Sequence, residues 1–223
     1  MEKIFKSSKS EKRALKILDE NYKDVLSVGI STGGSAEINI ARKCKEAHIV
    51  ATTIDEKGLE FSKEKMSTFP EGERIEAKIE DVSKKMPYKA KTFDFVYARL
   101  VLHYLTKQQL DAALKEIYRV MKPNGKIFIV ARNNKEWEIK RPEYVVSYDE
   151  KTNMTEYYEQ WKKEAVRKRQ FLSQQQLKSV LVEHGFKILS AKDYRERLYT
   201  DYERTSKNKS KKPNYLTEVV AQK

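Results

Sequence analysis

The feature that most constrains this chain is a regular alternation of strand-like and helix-like segments. Strand patterns occur at Asp24 to Ile30, His48 to Asp55, about Arg74 to Glu80, Phe93 to Leu100 and Gly125 to Asn133. Helix patterns separate them at Ser35 to Glu46, Lys57 to Phe69 and Thr106 to Lys122, the last opened by Thr106 and stopped by Pro123, Asn124 and Gly125. Such alternation builds a parallel sheet with helices on both faces. Ligands of these sheets lie beyond the carboxyl ends of the strands, where strand order reverses. Residues just after Ile30, Asp55, Glu80 and Tyr97 are therefore expected to converge on one crevice.

The rest of the chain follows the same logic with one interruption. Ala14, Leu15, Ile17, Leu18 and Tyr22 predict a helix within an N-terminal segment, residues 1–23. Residues 134–170, rich in Tyr, Trp, Glu and Lys, are too long for a plain loop and read as a flap inserted after the fifth strand, with some helix or hairpin of its own. A helix capped by Ser173 and ended by Gly185 follows, then two strands around Lys187 to Tyr199 and Tyr215 to Gln222. With 223 residues and no dividing linker, a single domain over 1–223 is expected.

No apolar run reaches the roughly 18 to 20 residues of a membrane span, and the N-terminus lacks a signal-peptide core. A cytoplasmic protein without membrane contact is expected. The three histidines, His48, His103 and His184, are scattered, so no metal site is expected. Cys44 lies in a helix pattern and reads as packing rather than as a nucleophile. The net charge of +13 raises nucleic acid as a partner. Dense basic patches occur only in EKRALK near the start, at 165–170 and at 205–214, and the remaining lysines read as a solvated surface, so nucleic acid is not favoured.

Three strand ends carry the candidate chemistry. In VLSVGISTGG, Gly29 ends the first strand and Gly33 with Gly34 opens the next helix, so backbone N–H groups can approach a ligand closely. Ser31 stands where a dinucleotide fingerprint needs its second glycine, which argues against that ligand. Asp55 after the second strand can accept both hydroxyls of a ribose, or can cap the helix that follows. Asp81 can accept from an adenine amino group with Val82 over the ring, Glu80 being the competing acid, or it can sit in a solvated turn.

Together with FDFVYARLVLHYL and EIYRVMKPNGKIFIV, these residues resemble the class I S-adenosylmethionine-dependent methyltransferases, from Asp24 to the end of the chain. The most specific matches are Asp55, the Phe93-Asp94 start of the fourth strand, and YRVMKPNGKIFIV; the terminal strand pair also fits. The resemblance implies a three-layer, doubly wound α/β fold. Its seven-stranded sheet would be mostly parallel, with one antiparallel strand near the chain terminus.

It further implies S-adenosyl-L-methionine with its methionine end on Gly29 to Gly33, its ribose on Asp55 and its adenine near Asp81 and Val82. Ala98 and Arg99 would lie beside the sulfonium. Two departures stand out: Ser27 replaces the acid that usually attracts the methionine ammonium, and Ser31 replaces a glycine. Without a substitute acid, that attraction is expected to weaken by about 1 kcal/mol or more. Ser31 is tolerable if its φ stays negative.

Methyl transfer asks the protein mainly to align the reactants and exclude water, with a base only for a poorly acidic acceptor. His103 is the candidate base, or else a packing histidine, with Tyr104 as a neighbour. Arg99 pairs either with an acidic substrate group or with a structural carboxylate. Tyr144, Tyr148, Tyr157, Tyr158 and Trp161 form either an aromatic lid or a small core of the flap. The expected function is methyl transfer to a small molecule held under the flap. An RNA-modifying enzyme docking through Arg167 to Arg169 and Lys207 to Lys212, and a non-catalytic binding module, are the alternatives.

Overall fold

Three of the helices that flank the sheet start where a side chain satisfies free N–H groups of the first turn. Reciprocal capping boxes open them, Ser8 with Glu11, Thr106 with Gln109, and Ser173 with Gln176. The computed structural model describes residues 7–159, 162–199, 207–210 and 212–223. Its helices are α1 (Lys9–Ile17), α2 (Ser35–Lys43), α3 (Glu56–Ser67), α4 (Lys107–Val120) and α5 (Gln174–Glu183). Its strands are β1 (Asp24–Val28), β2 (His48–Thr53), β3 (Ile75–Ile79), β4 (Phe93–Arg99), β5 (Met121–Arg132), β6 (Val145–Asp149), β7 (Met154–Glu159), β8 (Lys162–Arg169), β9 (Lys187–Glu196) and β10 (Asn214–Gln222).

Seven strands form the main sheet in the order β3-β2-β1-β4-β5-β10-β9. All neighbours from β3 to β5 are parallel, and β10 runs antiparallel to both β5 and β9. Strand order reverses between β1 and β4, which fixes the place of the crevice. The period-2 alternation of side chains divides the core into two layers. Leu26, Val96, Ala98, Ile127 and Ile129 face the side covered by Leu114 and Ile117 of α4 and Leu181 of α5. Their sequence neighbours Val25, Phe95, Tyr97, Phe128 and Val130 face Ala14 of α1 and Ile40 of α2. The expected three-layer, mostly parallel α/β fold with its antiparallel terminal strand is therefore present.

The differences from expectation lie at element ends. α1 stops at Ile17 instead of continuing to Tyr22, whose ring instead stacks on Phe95 at 6.0 Å from outside the helix. α2 stops at Lys43, three residues before Glu46. Cys44 is the C-cap residue, buried, with its thiol donating to the Asp19 carbonyl. Burial foremost pushes that thiol up, away from the thiolate a nucleophile needs. The inserted segment contains a separate antiparallel sheet, β6-β7-β8. Among the described residues no helix is long and apolar enough to cross a membrane, and no cluster of His, Cys, Asp and Glu could hold a metal.

Candidate functional site

The carboxyl ends of β1, β2, β3 and β4 open on one crevice of about 630 Å³. The loops after all four strands line it, together with parts of the flap and the segment before β10. Of the residues singled out in sequence, Gly29, Ser31, Asp55, Glu80, Asp81, Val82, Arg99, His103 and Tyr104 are on its wall. Ser27, Gly33 and Ala98 are not. Ser27 and Ala98 are wholly buried, Ala98 in the core beneath α4, and Gly33 lies in the short turn that leads into α2.

Gly29 has φ +76, and a Cβ there would lie 2.9 Å from both Cβ and Cγ2 of Val101. The loop thus keeps a bare backbone edge that a side chain would fill. Gly29→Ala is expected to lower unfolding stability by at least about 1 to 2 kcal/mol from backbone handedness alone. An unchanged urea midpoint would refute that. Ser31 has φ −63, so the added side chain strains nothing.

Both serines turn to one residue that the strand-end reading missed. Ser27 Oγ donates to Glu37 Oε1 at 2.6 Å, the Ser31 N–H donates to the same oxygen at 3.1 Å, and Ser31 Oγ donates to Oε2 at 2.5 Å. Glu37 is in the first turn of α2 and fully buried. An acid does stand behind the loop, supplied by the helix instead of the strand. The Ser31 hydroxyl also accepts from the Ala36 N–H at 2.9 Å.

At the next strand end Asp55 occupies the N-cap position of α3, yet its side chain makes no capping hydrogen bond. The role that competed with ribose binding is therefore not taken up. Ile54 beside it is 75 % exposed, an apolar surface at the mouth of the crevice that sequence reasoning passed over. Asp81 Oδ1 accepts from the backbone N–H of Ser83 at 2.9 Å and from its hydroxyl at 2.7 Å, which fixes the turn after β3. The competing acid Glu80 accepts from the Tyr88 hydroxyl at 2.7 Å. Burial, then Glu80, raises the Tyr88 phenol, so that bond keeps its proton on Tyr88.

The segment after β4 is strained and densely tied. Leu100 has φ +59, a left-handed conformation unusual for a leucine, and it lines the crevice with Val101. Arg99 is largely but not fully buried, donating from Nε to Ser10 Oγ at 2.7 Å with Nη1 3.7 Å from Glu11. Glu11 is thus a structural carboxylate beside it. His103 is 4 % exposed, and its Nδ1 accepts from the Arg132 N–H at 3.4 Å. Burial foremost, then the charges of Arg169 and Arg132, hold His103 well below the ordinary histidine value. The imidazole is neutral at physiological pH and, with Nδ1 accepting, carries its proton on Nε2.

The flap is fastened to this same segment. Gln170 donates from its backbone to the His103 carbonyl at 2.8 Å and from Nε2 to the Leu105 carbonyl at 2.5 Å. Arg169 of β8 is buried, donates to the Tyr104 hydroxyl at 2.8 Å and to the Tyr157 hydroxyl, and lines the crevice beside Arg167. Tyr157 is wholly buried and packs edge-on against Phe171, so it serves the flap's own core, whereas Tyr148 is exposed. Tyr144 meets Trp137 edge-on, and Tyr158 is half-buried. Trp161 lies outside the described residues, as does Lys211 of the late basic patch.

A sheet of this order, with a glycine turn after β1, an acid after β2 and an antiparallel strand beside β5, defines the class I, Rossmann-like methyltransferase architecture. Residues 26–129 match the family model of the methyltransferase domain. The fold is similar to that of the SAM-dependent methyltransferase of Methanosarcina mazei, with a TM-score of 0.74 and 16 % identity over 95 % of this chain and 96 % of that one. It is also similar to the S-adenosylmethionine-dependent methyltransferase of Mesorhizobium loti, with a TM-score of 0.65 and 16 % identity over 96 % and 98 % of the two chains. Over 83 residues, 37 % of this chain, it is 35 % identical to the sterol 4-C-methyltransferase strm-1 of Caenorhabditis elegans, a stretch that spans 24 % of that protein. The chain thus has the fold of the class I, Rossmann-like methyltransferases, and within it residues 26–129 match the methyltransferase domain.

Proposed function

We infer that the chain transfers a methyl group from S-adenosyl-L-methionine to a small molecule held between the sheet and the flap at 134–170. The observation that carries this reading is the shared crevice: Gly29 and Asp55 at one end and Arg167 and Arg169 of the flap at the other line the same cavity. Its volume of about 630 Å³ lies within the range usual for small-molecule sites. When bound, the cofactor supplies a methyl group already activated on a sulfonium.

The residues present suit that group. The Gly29 edge would offer backbone to the methionine end, the Asp55 carboxylate would accept from ribose hydroxyls, and Asp81 would accept from the adenine amino group. Ile54 and Val82 supply apolar walls. The flap, pinned at Gln170 and Tyr104, excludes water from the end where the acceptor sits. The local similarity to the nematode sterol 4-C-methyltransferase makes a sterol one acceptor to test.

His103 acts here as a neutral imidazole. Its Nε2–H is a donor that can orient an acceptor oxygen, while any proton it removes must go to Nδ1, a weak base in this setting. Because its folded value is depressed, the ring stays neutral as pH falls through 6.5, and the acid limb of kcat/KM is displaced well below that pH. His103→Asn is expected to lower kcat/KM by about tenfold, the worth of one good hydrogen bond. Full turnover in the variant, or a wild-type acid limb at about 6.5, would contradict the assignment.

An RNA acceptor is the second reading, drawn from the basic patches. Arg169 is turned inward and Lys168 pairs with Glu156 at 3.2 Å, which leaves less of the 167–169 patch for a phosphate backbone. The deciding experiment is calorimetry with S-adenosylmethionine and S-adenosylhomocysteine, followed by label transfer to sterols, phenols, carboxylic acids and RNA. Binding of neither cofactor form would leave only a non-catalytic module. Label on RNA, with binding that falls steeply with salt, would favour the second reading over the first.

A further inference from the structure

Glu37 is a wholly buried carboxylate whose partners are two hydroxyls and one backbone N–H, none of them cationic. Among the described residues it forms no ion pair. A buried charge without a counter-charge is costly, and the amino end of α2 offsets it only in part, by about half an elementary charge. The crevice offers an approach for the missing positive charge. Ser31 lines the crevice, and its hydroxyl hydrogen is directed at Glu37 Oε2. One of its two lone pairs takes the Ala36 N–H, and the other is available to a donor in the crevice. Ser27, wholly buried, repeats the arrangement one step deeper, with its hydroxyl hydrogen on Oε1. The negative charge therefore reaches the crevice wall through a polarised hydroxyl.

We propose that Glu37, acting through Ser31 and backed by Ser27, is the counter-charge that selects a ligand ammonium at the glycine loop, namely the α-ammonium of the cofactor's methionine end. The inference rests on the cofactor reading above and goes beyond it, since a serine at a strand end supplies no charge. It makes Glu37 a positioning residue one hydroxyl removed from the ligand. The competing role is purely structural: by accepting the Ser31 N–H from the first turn of α2, Glu37 also holds the loop.

The two roles separate by ligand chemistry. Dissociation constants are measured by calorimetry for S-adenosylhomocysteine and for the analogue in which hydrogen replaces its α-amino group, with wild type, Glu37→Gln and Ser31→Ala. Wild type is expected to prefer the amine by about tenfold or more. In Glu37→Gln that preference falls to within about twofold, while binding of the deaminated analogue is little changed. Ser31→Ala reduces the preference as well. A loss that is equal for both ligands would assign Glu37 to the loop alone and overturn the proposal. So would a wild type that binds both ligands alike, a comparison that needs no variant to fold. A wild type that binds neither ligand would overturn the cofactor reading itself.

Discussion

Asp55→Ala is expected to weaken S-adenosylmethionine binding by about 10- to 100-fold, the loss of charge-assisted hydrogen bonds worth roughly 1.5 to 3 kcal/mol. The carboxylate follows β2 at the crevice, and its side chain does not cap α3. A capping role would instead show as a stability loss of about 1 kcal/mol with affinity intact. Calorimetry and urea unfolding on the same variant distinguish the two, and Asp55→Asn refines the result. Asparagine keeps one acceptor oxygen but no charge, so its affinity should fall between those of wild type and alanine. Equal affinity in all three proteins would remove Asp55 from the cofactor site.

Where the sequence spoke clearly, it did so through local physics. Thr106 and Ser173 each precede a glutamine by three residues, and both pairs form capping boxes at the helix starts expected. The parity of Phe95 and Tyr97 against Val96 and Ala98 encodes two buried faces, hence a central strand. The flap was harder to read because MTEYYE and KKEAVRKR carry polar residues on both faces, so no period distinguishes strand from helix. Glu37 is inconspicuous for a different reason: it sits in a helix pattern, away from the strand end where an acid is usual. The readable signal was Ser31 followed six residues later by an acid in the first helical turn, beside a serine at position 27. Arg99 and Glu11 are 88 residues apart, and only the fold that seats α1 beside β4 brings them together.

That last pair carries the largest expected effect on stability. The Arg99 side chain is 10 % exposed and that of Glu11 2 %, at 3.7 Å. Burial alone works against the guanidinium charge, and Glu11 foremost among the neighbouring acids outweighs it, so Arg99 holds its proton more firmly than usual. Removing one partner of such a pair leaves the other charge buried, at a cost of about 3 to 5 kcal/mol. Arg99→Ala is therefore expected to lower the unfolding free energy by about that amount, read from the urea midpoint.

Ser10 links the same guanidinium to Glu196 of β9, whose Oε1 accepts the Ser10 N–H at 3.1 Å. The variant should accordingly loosen α1 from the sheet and expose 7–23 to protease before the rest of the chain. An arginine whose task was to bind an acidic acceptor would behave otherwise, raising KM with the midpoint unmoved. The double variant Glu11→Gln, Arg99→Met gives the control, because replacing both charges removes the uncompensated one and should recover much of the loss. Failure to recover would place the damage in the packing around Arg99 and Leu100, not in the ion pair.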